Sequence, residues 1–314
     1  MPEVTLADFA RSFGTRVSDI PADCRELIAQ HDFGYEVLAG EERDKVILDI
    51  LKRIDSDQLT VVGEERKGVW EKGWSENLQG FLEKNYDLDE LTPKYYHPGR
   101  ILRFRGDYIT TADPYFEYNF FKVLRLWLFR TYLKDVESVY EFGCGPGHNL
   151  VALARLYPGK KLNGLDWAEA SRDLANKIAE VYHYHITGHL FDMFHPDEKL
   201  LIEKNSAVMT FGALEQLGHN YGIFLDFLIK KSPALCLNVE PLRELYHEEN
   251  LLDYLAMRYQ DKRHYLTGYL DSLKRLETEG KIKILKMQRM SLGNANYDGW
   301  SFVVWRPGKI SSGL

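Results

Sequence analysis

The sequence predicts a doubly wound α/β domain behind a mostly helical N-terminal extension. Two observations predict it. The stretch Ser138-Val-Tyr-Glu141-Phe-Gly143-Cys144-Gly145-Pro-Gly147-His148-Asn-Leu runs from a short apolar, β-branched segment through a glycine loop into a helical pattern. From about 136 to 305, short apolar runs then alternate with helical ones, as successive βα units do. Strand, Gly-rich turn and helix is how a nucleotide-binding α/β domain begins, because glycines accept positive φ and let the backbone come close to a ligand.

A chain of 314 residues with 45% hydrophobic and 28% charged residues has ample material for one large or two modest globular domains. A net charge of -7 leaves no surplus of Lys and Arg for a phosphate backbone, so no nucleic-acid partner is expected. Three cysteines, Cys24, Cys144 and Cys236, make no disulfide framework and fit a reducing compartment. The N-terminus has no basic region followed by an apolar stretch, and the most apolar helix, 120–133, is broken by Lys122, Arg125 and Arg130. A cytoplasmic protein without a membrane partner is the expectation.

The extension spans 1–110. Segments 23–38 and 41–54 are read as helices, the second with Val46, Ile47, Ile50, Leu51 and Ile54 on one side, and Gly34 weakens the end of the first. Residues 59–62 are a short strand or a buried turn. Trp70, Trp74, Leu78, Phe81 and Leu82 fall at helical spacing, and 91–108 form an irregular, aromatic link. A long amphipathic helix covers 114–133. The α/β domain takes 111–306, with strands at 138–142, 162–165, 184–188, 207–211 and 234–239. Helices are expected near 149–157, 167–182, 197–204 and 221–231, then a helical insert over about 248–279. Strong alternation at 281–287 and the run 300–305 close the domain with two strands, and 307–314 is a flexible tail.

The ligand can be narrowed further. The dinucleotide fingerprint is G-x-G-x-x-G, whereas these glycines are spaced G-x-G-x-G, and Glu141 stands where a pyrophosphate would be repelled. A carboxylate there suits a cationic ligand. Lys161-Leu-Asn-Gly-Leu-Asp166-Trp167 is a strand closed by an acid placed to take ribose hydroxyls. Gly188-His-Leu-Phe191-Asp192-Met193 sets another acid beside apolar residues, suited to an adenine amino group and ring face. With these three stations in order, 136–305 resembles the class I S-adenosylmethionine-dependent methyltransferases.

That resemblance implies a seven-stranded, Rossmann-like methyltransferase sheet whose last two strands are antiparallel, with S-adenosylmethionine as cofactor. Glu141, Gly143, Cys144, Gly145, Gly147, Asp166, Trp167, Asp192, Met193, Phe211 and Glu215 are the expected cofactor residues, Cys144 as a small space-filler. The helix before the first strand closes over the cofactor in this family, so Tyr115, with Tyr108 and Tyr118, is a candidate lid residue. Packing between subdomains explains these tyrosines equally well. The implied activity is O-methylation of a small polar acceptor such as a sugar, with another small molecule or natural product as the alternative acceptor. An NAD(P)-dependent oxidoreductase and a non-catalytic cofactor-binding scaffold are the rival classes.

Taking a proton from a hydroxyl acceptor calls for a base. The segment after the fourth strand, Leu214-Glu215-Gln216, resembles the family's Leu-Glu-His with Gln216 in place of the histidine. His219, three residues on, is a substitute base or a surface residue. Glu240 closes the fifth strand as a base or substrate ligand. His247 pairs with Glu240 or Glu244 as base and orienter, or joins Asn238 in a weak metal set; otherwise this acid run is a solvated helix start. No metal is assigned. Tyr254, Arg258, Lys262, Tyr265 and Tyr269 share a face if 248–279 is one helix. That face is a cover for a polar, anionic substrate or an interface, including one within a homodimer.

Overall fold

The structure, a computed structural model, describes residues 1–308. The extension contains α1 (Leu6–Phe13), α2 (Ala22–Ala29), β1 (Tyr35–Val37), α3 (Gly40–Asp55), α4 (Lys67–Glu83) and the hairpin β2 (Leu102–Phe104) and β3 (Asp107–Thr111). Helix α5 (Phe116–Tyr132) leads into β4 (Ser138–Phe142), α6 (His148–Leu156), β5 (Lys161–Asp166), α7 (Glu169–Tyr182) and β6 (Ile186–Leu190). The second half runs β7 (Ser206–Phe211), α8 (Tyr221–Lys231), β8 (Leu235–Val239), α9 (Leu251–Arg263), α10 (Tyr269–Thr278) and β9 (Ile282–Gln288). It ends with β10 (Leu292–Asn294), β11 (Tyr297–Asp298) and β12 (Phe302–Pro307).

The seven-stranded sheet has the order β6-β5-β4-β7-β8-β12-β9. β4 pairs in parallel with β5 on one side, Val139 opposite Leu162, and with β7 on the other, Val139 opposite Ala207. Alternation across the pleat sends Val139, Met209 and Leu237 to one face, where they pack with Phe120, Leu124, Leu150 and Leu174 of α5, α6 and α7. Tyr140, Phe142, Val208 and Cys236 meet Phe224, Phe227, Leu270 and Leu273 of α8 and α10 on the other face. Helices cover both faces, so the inner strands are apolar on both sides and all five residues of β4 are buried.

Several expectations change. α2 stops at Ala29, because the Asp32 carboxylate accepts from the Gly34 N–H at 2.7 Å and turns the chain into β1. Residues 59–62 form no regular element, and the Val62 N–H donates to the Arg263 carbonyl. The aromatic link contains the hairpin β2–β3, part of a second sheet ordered β1-β3-β2-β10-β11. No helix forms at 197–204, where the Asp197 side chain accepts from the Lys199 N–H at 2.9 Å and competes with helical bonding. The insert is two helices: His264 at φ 56° ends α9 and Gly268 at φ 81° begins α10. The expected single face dissolves with that break, leaving Tyr254 exposed and Tyr265 and Tyr269 buried. The last two strands of the large sheet pair antiparallel with each other as expected, and β12 is the one reversed against β8. The expected tail beyond 308 lies outside the described residues. Among the described residues, no helix is long and apolar enough to cross a membrane.

The extension is tied down by charge as well as by apolar packing. Arg103 of β2 is buried against Asp253 of α9 at 2.8 Å and Asp298 of β11 at 3.2 Å. Arg289 reaches the same two carboxylates at 2.6 and 2.8 Å. On the apolar side Val46, Ile50 and Ile54 of α3 pack with Leu255 and Tyr259 of α9, while Leu51 stays exposed.

Candidate functional site

The chain goes from β4 outward to β5 and β6, then returns to the other side of β4 for β7 and β8. The order therefore reverses between β4 and β7, and an open α/β sheet leaves a crevice beyond the strand carboxyl ends at that point. A cavity of about 720 Å³ lies there, lined by the glycine loop and the ends of β4, β5 and β7. Gly143, Gly145 and Gly147 have φ of 72°, 52° and 78°. A Cβ on Gly143 would stand 2.4 Å from the Ala213 Cβ, and one on Gly145 would stand 3.0 Å from the Trp74 ring.

Glu141 is buried in the cavity wall. Its Oε1 accepts from Asn149 Nδ2 at 2.7 Å, while Oε2 is buried with no partner. Burial pushes this carboxyl up to about 8. Asp166 also lines the cavity, with Oδ2 accepting from the Gly145 N–H at 2.9 Å and Oδ1 from the Ala168 N–H at 3.0 Å. It joins the glycine loop to the start of α7, and burial raises it to about 6. Each of its oxygens retains acceptor capacity.

Trp167, Met193 and Phe211 line the cavity as expected, with Phe191 and Phe194 beside them and Trp167 stacked on Phe194 at 5.7 Å. Asp192 does not line it; its Oδ1 accepts from the Phe194 N–H at 2.8 Å and holds its own turn. Cys144 fills space, its thiol pushed up by burial, and a Cβ on Gly164 would lie 3.0 Å from its sulfur.

The cover comes from α4. Trp70 and Trp74, stacked at 5.4 Å, form part of the wall. The Glu71 carboxylate between them accepts from the Glu169 and Ala170 N–H groups at 2.7 and 3.1 Å, capping α7 from outside. Tyr115 is 54% exposed and lines neither cavity described here, because it stands ahead of α5 with its ring turned to solvent. Tyr108 is buried in the α3–α9 cluster and Tyr118 accepts from the Thr92 hydroxyl at 3.3 Å, so both pack rather than cover. Tyr95 takes the expected place beside the cavity. His148 is a further lining residue: both ring nitrogens are buried without partners, and burial holds the imidazole neutral, well below its ordinary range. Its position directly after Gly147 is the only sequence signal it carries.

A second cavity, of about 1,490 Å³, shares Trp70, Tyr95, Gly212 and Gln216 with the first. Its walls come from the extension, α9, Tyr265 and the β10–β11 turn. Glu215 faces this second cavity rather than the first; burial and then the charge of Glu240 push its carboxyl up to about 8. The expected bases fare differently. Glu240 is enclosed, with Oε1 accepting from the Ala213 and Leu214 N–H groups at 3.2 and 3.1 Å and Oε2 from that of Glu215 at 3.3 Å. It shapes the loop after β7 and lines neither cavity. His219 is exposed at the far end of that loop, since the turn at Gly218 (φ 57°) carries it away from both cavities. His247 is exposed, its N–H on Asp253, along a separate groove with Arg11 and Arg105. Asn238 bonds instead to Thr210, Tyr269 and Trp305, so the pairings drawn for His247 with Glu240 or Asn238 do not form.

No protein-family model matches the chain, and no curated protein matches it. Solved structures similar to it include PigF with SAH, at 15% identity over 83% of this chain and 70% of that one, with a TM-score of 0.45. A SAM-dependent methyltransferase from Aquifex aeolicus matches at 16% identity over 58% of this chain and 87% of that one, TM-score 0.40. Magnesium protoporphyrin IX methyltransferase from Synechocystis PCC 6803 with bound SAM matches at 17% over 59% and 76%, TM-score 0.40. At such scores the functional question rests with this chain's own residues.

Proposed function

We propose that the protein is an S-adenosylmethionine-dependent methyltransferase acting on an oxygen of a small polar acceptor, a sugar being one such molecule. One observation carries this: the unpartnered, buried Oε2 of Glu141 in the wall of the switch-point cavity. A buried acceptor without a donor is costly, and a carboxylate there favours an ammonium while repelling a pyrophosphate. The glycine spacing and this carboxylate together weigh against a nicotinamide dinucleotide.

When bound, S-adenosylmethionine supplies a methyl group already activated on a sulfonium. Glu141 would hold the ammonium and Asp166 the ribose hydroxyls, through the lone pairs its backbone donors leave free. Phe191, Met193 and Phe194 offer apolar surface for the adenine, in place of the bond expected from Asp192. Trp70 and Trp74 close the site against water. The acceptor would enter the second cavity and present its oxygen at the wall both cavities share. Glu215 is the carboxylate placed there to take the hydroxyl proton.

A calorimetric titration with S-adenosylhomocysteine, NAD and NADP tests this. Binding of the thioether alone is expected, weakened by about 1.5–3 kcal/mol in Asp166→Asn through loss of a charge-assisted hydrogen bond. Binding of NAD or NADP instead, or no thioether binding, would overturn the assignment.

A further inference from the structure

We propose that the acceptor is an anion, its carboxylate or phosphate oxygens held between Arg66 and Arg263 in the second cavity. That the anion is the acceptor rests on the methyltransferase reading; the anion site itself does not. Both guanidinium groups line the cavity, and among the described residues neither has a carboxylate oxygen within 4.0 Å. Arg66 donates to Gln216 Oε1 at 3.1 Å and lies over the Trp70 ring at 5.2 Å. Arg263 donates to the Tyr259 hydroxyl at 3.4 Å and lies over Tyr265 at 4.9 Å. The Nε of each is buried with no acceptor.

Arg263 acts on Arg66, whereas the guanidinium of Arg263 is itself raised by the tyrosines around it. Burial, and next the positive charge of Arg263, disfavour the charged form of Arg66. Arg53 adds a third guanidinium on the wall, bonded only to Asn296 Oδ1 at 3.2 Å. The remaining arginine of the cavity, Arg100, is neutralised by its ion pair with Glu117. Glu215 is the one other carboxylate of the wall, and neither of its oxygens lies within 4.0 Å of either guanidinium.

Like charges gathered without a counterion cost free energy, which the aromatic faces offset only in part. An oxyanion between the two would satisfy both orphaned Nε–H groups and cancel the repulsion, in the planar, charge-assisted geometry that guanidinium groups offer carboxylates and phosphates. Tyr259 and Tyr297, stacked at 5.8 Å beside the arginines, give a ring on the same ligand an apolar surface. The structural alternative is that the arginines only brace aromatic side chains. It leaves both Nε atoms unexplained.

The test uses the full chain and titrates benzoate, phenyl phosphate and the neutral isostere benzamide by calorimetry, with S-adenosylhomocysteine titrated separately. At least one anion should bind, benzamide at least about tenfold more weakly. The stronger of benzoate and phenyl phosphate identifies the headgroup. Arg263→Gln and Arg66→Gln should each weaken that anion about tenfold or more, Arg263→Lys should recover part of the loss, and the thioether should bind Arg263→Gln as it binds the wild type. Equal binding of benzamide, undiminished anion binding in both Gln variants, or thioether binding with no anion binding would each overturn the proposal. Anion binding without thioether binding would overturn the methyltransferase reading and leave the anion site supported.

Discussion

At Glu215, burial and the Glu240 carboxylate raise the carboxyl to about 8, a range in which a group can take up a proton near neutral pH. Glu240, Gln216, Arg66 and Arg263 are the polar and charged groups acting on it. Replacing Glu215 with Gln should lower turnover on an oxygen acceptor by about 10²–10⁴-fold, the usual worth of a positioned base, with thioether affinity unchanged. In the wild type, kcat/KM should rise as pH goes from 6 to 8, because the base works only when deprotonated, and the variant should lose that rise. A variant with wild-type turnover would end its candidacy. The sequence could not separate Glu215 from Glu240. Both follow strands of the large sheet, and which one faces a cavity depends on the backbone N–H groups of 213–215 turning onto Glu240. The places of Glu141, next to last in β4, and Asp166, last in β5, were legible because they are local: a short apolar run beside a glycine loop can be read from spacing alone.

Among the elements, α4 and the second sheet shape the site most. The helical spacing of Trp70 and Trp74 reveals an apolar face but not its partner, which Glu71 fixes by capping α7 about a hundred residues away. The small sheet escaped notice because its strands have two to five residues and β2 pairs with β10, Phe104 opposite Leu292. Periodicity needs longer runs than that. Arg103 joins this sheet to α9, and Arg103→Ala would leave Asp253 and Asp298 buried with fewer partners. The expected loss is about 3–5 kcal/mol of stability, read as a shift in the urea midpoint. A loss under about 1 kcal/mol would mean that Arg289 alone satisfies both carboxylates.

Over the whole molecule, Asp166, Glu240, Glu141 and Glu215 carry carboxyls raised to about 6, 7, 8 and 8 from ordinary values of 3.8 and 4.5. The unfolded chain gives up these protons first, so the stability they contribute is present below about pH 4 and lost as pH rises toward 8. Asp8, lowered to about 2, acts in the opposite sense below that window, and His148, His31 and His189, lowered by burial, act in the opposite sense inside it, up to about pH 6.5. Above the histidine range, scanning calorimetry of the ligand-free protein should therefore show Tm falling from about pH 7 to pH 8, whereas a rise would mean these carboxyls are ionised at little cost in the fold. The alternating βα series at this scale was legible from two local periodicities. The neighbouring second cavity was not, since it is assembled from α3, α9, the 95–101 segment and the β10–β11 turn.

The central claim is that Glu141 awaits a cation. The most direct measurement is calorimetry of S-adenosylhomocysteine binding at pH 7 in two buffers of different ionisation enthalpy, which counts protons released. A carboxyl at about 8 is mostly protonated at pH 7 and must ionise to meet the ligand's ammonium, so affinity should rise toward pH 8 and binding should release up to about one proton. Glu141→Gln should bind more weakly and release correspondingly less. Binding with no proton release and no loss in the variant would contradict the account.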